Sequence, residues 1–163
     1  LKHIPIIDVS IIAIGFVLRL FVGSLVTGIQ LSMWIVIMTF LLALFIALAK
    51  RRDDVIIFME TGQKMRKVIN GYNLNFLDNA MMIMGAVVIV SYLNYITSTI
   101  LVGQEISEYL YLTSLFVVIG ILRYMKITFV NKKSGSPTKI ILKDLFLQLV
   151  LLFWIISFTI LIY

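Results

Sequence analysis

Five stretches of this chain are long and apolar enough to cross a lipid bilayer, and the charges between them are placed so sharply that the spans read directly from the gaps. A bilayer's hydrocarbon core is about 30 Å thick and takes roughly 20 residues of α-helix, whereas membrane barrels show a weaker alternation over about ten residues that this sequence lacks. The first stretch runs from about Ile6 to Gly28, interrupted only by Arg19, and is too long and too well filled for a cleavable signal peptide. The second follows Ser32, a candidate N-cap, and stays uncharged to Ala49 before meeting Lys50-Arg51-Arg52-Asp53-Asp54. The third begins near Asn75 and lies between Asp78 and Glu105, and the fourth covers about Tyr109 to Val130, with Arg123 and Lys126 able to snorkel from its end. Ser136-Pro137 reads as cap and first helical position of the fifth, which is uncharged from Leu145 to Tyr163. With 61% hydrophobic and 13% charged residues, the soluble globular class is excluded, leaving an all-α, polytopic membrane bundle. Cysteine is absent and His3 is the single histidine, which removes disulfides, zinc sites, thiol nucleophiles and Ser-His triads. Any chemistry falls to carboxylates, cations or a recruited metal.

Basic residues give an orientation. Lys50, Arg51, Arg52, Lys64, Arg66 and Lys67 lie between spans two and three, while Arg123, Lys126, Lys132, Lys133, Lys139 and Lys143 lie around the connection of spans four and five. Lys2 falls on the same side, and the connections around Gln30 and from Ser98 to Glu108 hold no Lys or Arg. The positive-inside rule therefore predicts a cytoplasmic N-terminus and basic cytoplasmic loops in a plasma membrane. The net charge of +6 gathers on that face, where it attracts anionic headgroups and anionic substrates; nucleic acid is not implied.

Within the 50–54 cluster the cations suit a helix C-terminus but Asp53 and Asp54 oppose its partial negative charge, so helix stability does not account for them. If the helix continues, Lys50, Arg51 and Asp54 share a face, placing two phosphate-binding cations beside a carboxylate that can hold Mg²⁺ or orient a hydroxyl. A plain helix end with interfacial cations is the competing reading. Residues 55–70 mix apolar bulk with cations, as a connector at the cytoplasmic interface or a pocket lid would. Asp78 is most simply part of a helix start, and Asp144 is ambiguous. Asp8, Gly15 and Arg19 fall on nearly one face of the first helix, since steps of seven and eleven residues at about 100° each nearly close whole turns. Arg19 then sits about 20 Å along the span, where a charge needs a partner or a watery cavity, and is a functional candidate with an interhelical hydrogen bond as its alternative.

The order Ile7-Asp8-Val9, Leu18-Arg19, Ala49-Lys50-Arg51-Arg52, Gly71-Tyr72, Leu122-Arg123-Tyr124 and Gly135-Ser136-Pro137 resembles the C-terminal half of the UbiA superfamily of membrane transferases, over essentially all 163 residues. Within that superfamily it is most similar to the branch that transfers a phosphoribosyl group to a polyprenyl phosphate. The resemblance implies that the five spans correspond to helices five to nine of a nine-helix fold, making residues 1–163 the C-terminal part of one longer transmembrane domain, with an interfacial connector at about 51–73. The superfamily's first aspartate motif, NDxxDxxxD, is missing, which implies that the chain alone is incomplete as an enzyme. The DxxxD motif of prenyl-diphosphate-using members is not reproduced either, because Ile57 and Phe58 stand four residues after Asp53 and Asp54.

By this resemblance the reaction is displacement of diphosphate from the ribose of phosphoribosyl pyrophosphate by a lipid phosphate, in cell-envelope polysaccharide precursor synthesis. By matching position Lys50 and Arg51 would bind donor phosphates and Asp54 would contact Mg²⁺, whose main ligands belong to the missing half; Arg52, Tyr72 and Arg123 are further candidate phosphate ligands, Asp54 and Arg19 the catalytic candidates, and Asp53 a candidate Mg²⁺ ligand with no counterpart in the family. Asp54 could equally contact the ribose. A UbiA-type aromatic prenyltransferase and a non-catalytic helical membrane component stay open as alternatives.

Overall fold

The computed structural model describes residues 4–62, 71–101, 108–130 and 137–162. Lys2, His3, Lys64, Arg66, Lys67, Glu105, Lys132, Lys133 and Ser136, along with residues 63–70 of the proposed lid, lie outside the described residues. Every described element is helical, and five helical segments are long and apolar enough to cross a membrane, as the hydropathy pattern predicts.

The chain divides into two units, residues 1–88 and 89–163. In the first, α1 (Ile7–Thr27) packs along α2 (Met33–Thr61), and the start of α3 (Leu74–Leu101) completes the unit. At 1.5 Å per residue the 21 residues of α1 extend about 31 Å, a bilayer core's thickness. Gly28 and Gly62 end α1 and α2 in the left-handed conformation, each closing the last turn by donating its N–H to a carbonyl four residues back. Ser32 caps α2 as expected, its Oγ accepting from Trp34 N at 3.3 Å. Ala43, Ala47 and Ala49 are buried on α2 and Ala13 on α1; such small side chains let two helix backbones approach where lipid supplies no hydrophobic drive between them. Leu25, Val26 and Met33 face outward, an apolar exterior suited to acyl chains and untenable in water.

The charge cluster does not end α2. The sequence reading stops the uncharged span at Ala49, whereas the helix runs on through Lys50–Asp54 to Thr61, with Val55 and Ile56 buried. Burial of these two side chains holds the extra turns in place despite acids near the helix's C-terminal end.

The second unit holds the rest of α3, a 3-10 turn (Glu108–Thr113), α4 (Ser114–Phe129), α5 (Pro137–Lys143) and α6 (Leu145–Ile162). Here α6 packs against α4 and the 3-10 turn. The expected fifth helix is two helices separated at Asp144. A polar relay stitches this unit: Trp154 Nε1 donates to the Tyr92 hydroxyl (2.8 Å), which pairs with Thr113 Oγ1 (2.8 Å), and Thr113 donates to Leu110 O (2.6 Å). In hydrocarbon each of these groups would otherwise be unsatisfied.

Candidate functional site

The site grows from the start of α1. Pro5-Ile6-Ile7 forms a γ-turn in which Ile7 N–H reaches Pro5 O at 2.8 Å and Ile6 adopts φ 70°, ψ −50°, a conformation that strains a β-branched residue. The Tyr72 hydroxyl accepts from Ile6 N at 2.7 Å and holds the turn. Gly71 lies so close to the Pro5 ring that a Cβ there would collide with Pro5 Cγ. Tyr72 is buried and stacked on Phe76, with ring centroids 6.3 Å apart. Burial raises its pKa above the ordinary tyrosine value, so the phenol keeps its proton at neutral pH.

Two residues beyond the strained turn, Asp8 enters the first turn of α1, where a carboxylate suits the helix dipole. It is buried and accepts from Arg51 Nε at 2.5 Å. Arg51, only 1% exposed, also donates through Nη1 to Asp54 Oδ2 at 2.8 Å, three residues along α2. Two carboxylates against one guanidinium leave the cluster with a net formal charge of minus one. Arg51 Nη2 is buried with no hydrogen-bond partner.

Of the residues singled out in the sequence, Arg51, Asp54 and Tyr72 are thus drawn into one neighbourhood. Lys50 is exposed, turned away from its buried neighbour Arg51. Arg52 donates from Nε to Asp78 Oδ1 at 2.6 Å, tying α2 to the first turns of α3. Asp53 is half-buried, one residue and about 100° around the helix from Asp54. Arg19 is exposed over the Phe16 ring, 5.2 Å from its centroid, and makes no ion pair among the described residues. It shares a helix with Asp8 but not a partner. In the second unit, Arg123 grips Asp144 with two bonds, of 2.8 Å and 3.2 Å, while Asp144 Oδ1 caps α6 by accepting from Leu147 N at 2.9 Å. Hydrogen bonding from Arg123 holds the Asp144 carboxyl below the usual carboxylate range.

Three roles escape sequence reading. Asp8 serves as Arg51's partner, and a carboxylate opening an apolar span is the signal that a buried cation must meet it. Asn73, rather than Asn75, caps α3 by accepting from Phe76 N at 2.6 Å, and Asp144 is both cap and ion-pair partner. The described residues do not by themselves fit the implied Mg²⁺: no three His, Asp or Glu side chains converge among them, and Asp54 Oδ2 is already taken by Arg51.

Fold and site together define a polytopic helical membrane protein with a polar cluster buried between its first two helices. No protein-family model matches the chain. Curated proteins named decaprenyl-phosphate phosphoribosyltransferase do: that of Corynebacterium glutamicum is 27% identical across 99% of this chain and 48% of its own length. The protein of that name from Mycolicibacterium smegmatis is 30% identical across 95% of this chain and 50% of its own, and that of Mycobacterium tuberculosis 24% identical across 95% and 50%. The chain therefore spans about half the length of the curated relatives it matches, and the resemblance read from its landmarks is borne out.

Proposed function

We propose that this chain is the C-terminal half of a polyprenyl-phosphate phosphoribosyltransferase working at the cytoplasmic face of a plasma membrane. The reading is carried by one observation, the match of 95–99% of its length to relatives that share a single name. In the proposed reaction an oxygen of the lipid phosphate forms a bond to the ribose C1 of phosphoribosyl pyrophosphate. The C1–O bond to diphosphate breaks, and diphosphate leaves with the bonding pair. Catalysis then consists of positioning two anionic reactants and stabilising the charge on the leaving group.

Lys50 is the cation that the cluster leaves exposed, and we assign it to donor phosphate; Arg52, expected in the same role, is buried and held by Asp78. Arg51 is engaged by two carboxylates and takes a different part. Arg123 is engaged by Asp144 within its own unit, so the proposal rests on residues of the first unit. Apolar outward faces such as that of α1 are suited to an isoprenoid chain. Mg²⁺, if bound, would be held mainly by residues outside this chain.

The test uses the complete protein, including any segment that precedes this chain in its reading frame, in lipid nanodiscs. Labelled phosphoribosyl pyrophosphate and polyprenyl phosphate should yield labelled lipid and free diphosphate. Prenylation of an aromatic acid from a prenyl diphosphate, without sugar transfer, would overturn the proposal in favour of the other UbiA-type chemistry.

A further inference from the structure

Arg19 stands apart from the charge cluster at the other end of its helix. At 1.5 Å per residue its Cα lies about 18 Å from Ile7 and about 12 Å from Thr27, the nearer end of α1. A long basic side chain reaches the interface when it extends toward the nearer end. This one runs the other way, as side chains on a helix lean toward the N-terminus. Its guanidinium carbon is 5.2 Å from the centroid of Phe16, and Nη1 is 4.0 Å from where a Cβ on Gly15 would stand. The charge is therefore held near the middle of a helix about as long as a bilayer core is thick. The Phe16 ring attracts the cation without neutralising it, and Arg19 is exposed with no ion pair among the described residues. An arginine at that depth needs an anion.

The chain does not bring one there. Its eight acids all stand near helix ends: Asp8 opens α1, Asp53, Asp54 and Glu60 lie in the last turns of α2, Asp78 is in the first turns of α3, Glu105 and Glu108 precede α4, and Asp144 separates α5 from α6. Asp8, Asp54, Asp78 and Asp144 are moreover each held by another arginine. A second copy in the same orientation carries the same residues at the same depths, so it offers Arg19 no acid either. Lipid phosphates lie about 15 Å from the bilayer middle, half the core thickness. The face itself has room for a helix. Gly15 and Gly23 flank Arg19 one turn to either side, a Cβ on Gly23 would meet nothing within 4 Å, and the stripe lies about 120° around α1 from the buried Ala13. Small residues beside a polar one let a neighbouring backbone come close enough for a short side chain to bond it. The relatives matched are about twice as long as this chain, which leaves further spans to fill that place.

We propose that the Arg19 face of α1 docks a membrane-spanning helix of the segment preceding this chain in its reading frame, with an Asp or Glu in the middle of that helix paired to Arg19. The inference rests on the reading of the chain as a C-terminal half and adds to it the contact that joins the halves.

The test is a thermal melt of the complete protein, preceding segment included, in one fixed detergent. On a bare lipid-facing surface Arg19→Leu removes an unfavourable charge and raises the midpoint. With a carboxylate docked there, the same change strands the acid in an apolar interior and should lower the midpoint by about 5 °C or more. Each Asp or Glu within a span of the preceding segment is then replaced by Leu in the Arg19→Leu background. One of these pairs should restore at least half of the loss, although the same replacement destabilises wild type. Should Arg19→Leu yield no folded protein, recovery of folded protein by one pair is the same readout. An unchanged or raised midpoint in Arg19→Leu overturns the proposal, as does a loss that no second replacement restores, or a preceding segment whose spans hold no acid. No substrate enters these measurements, so the docking can fail while the transferase reading stands. A reading frame with no span before residue 1 removes the C-terminal-half reading and the docking together.

Discussion

Replacing Arg51 by Met should destabilise the protein severely, and a second substitution should reverse part of the damage. The guanidinium makes bonds of 2.5 Å and 2.8 Å to two carboxylates whose residues are 5% and 8% exposed. Arg51→Met keeps the unbranched apolar stem but leaves Asp8 and Asp54 as buried like charges with no cation between them. Removing one partner of a buried ion pair costs about 3–5 kcal/mol, a large part of the roughly 5–15 kcal/mol by which folded domains exceed their unfolded states. Asp8→Asn alone should cost less, about 1.5–3 kcal/mol for a charge-assisted bond, because Arg51 still neutralises Asp54. In the Arg51→Met background the same Asp8→Asn change should stabilise, since it removes a charge that no longer has a partner. The assay is a thermal or denaturant melt in one fixed detergent, arranged as a double-mutant cycle across wild type, both single variants and the pair. The diagnostic quantity is the sign of the Asp8→Asn effect in the two backgrounds. The same sign in both, or an Arg51→Met loss below about 1 kcal/mol, would refute the buried triad as the cluster's organising contact.

Other measurements probe separate parts of the structure. Tyr92→Phe removes the centre of the Trp154–Tyr92–Thr113 relay and should cost about 1–3 kcal/mol in a melt, with a shifted Trp154 emission; unchanged emission and stability would contradict the relay. Gly71→Ala forces a methyl into the Pro5 ring and should destabilise by about 1–3 kcal/mol, whereas Ile6→Gly should relieve the turn and raise the melting midpoint; the opposite order would count against the strained clamp. The Arg123–Asp144 pair has a defined pH dependence. Because the folded Asp144 pKa lies below its ordinary value of about 3.9, the pair's contribution is fully present above that ordinary value and disappears as pH falls through the depressed one. The melting difference between wild type and Asp144→Asn should therefore hold steady from pH 7 to about 5 and shrink only below about pH 4. A difference that vanishes already near pH 6 would exclude Asp144 as its source.

Sequence alone determined that the chain is a helical membrane protein of five spans, because the hydrocarbon core sets a length and a polarity that local residue order meets or fails without regard to tertiary contacts. The Ser32 cap and the ends of α1 were legible for the same reason, each being a matter of a few adjacent residues. The likeness to phosphoribosyltransferases was legible because landmarks such as Leu18-Arg19, Lys50-Arg51-Arg52 and Gly71-Tyr72 keep their order along the chain. Tertiary structure decided which charges meet. Arg51 and Lys50 look alike as neighbours in the sequence, yet one is buried between carboxylates from two helices and the other is exposed, and Asp8 is separated from its partner by 43 positions. Arg19 has the right spacing to join Asp8 on one face, but lies over Phe16 and takes no part in that pairing. Helical periodicity fixes which way a side chain leaves its own helix, whereas pairing depends on how two helices are rotated and shifted against each other, and that is set by packing around residues such as Ala13 and Ala47.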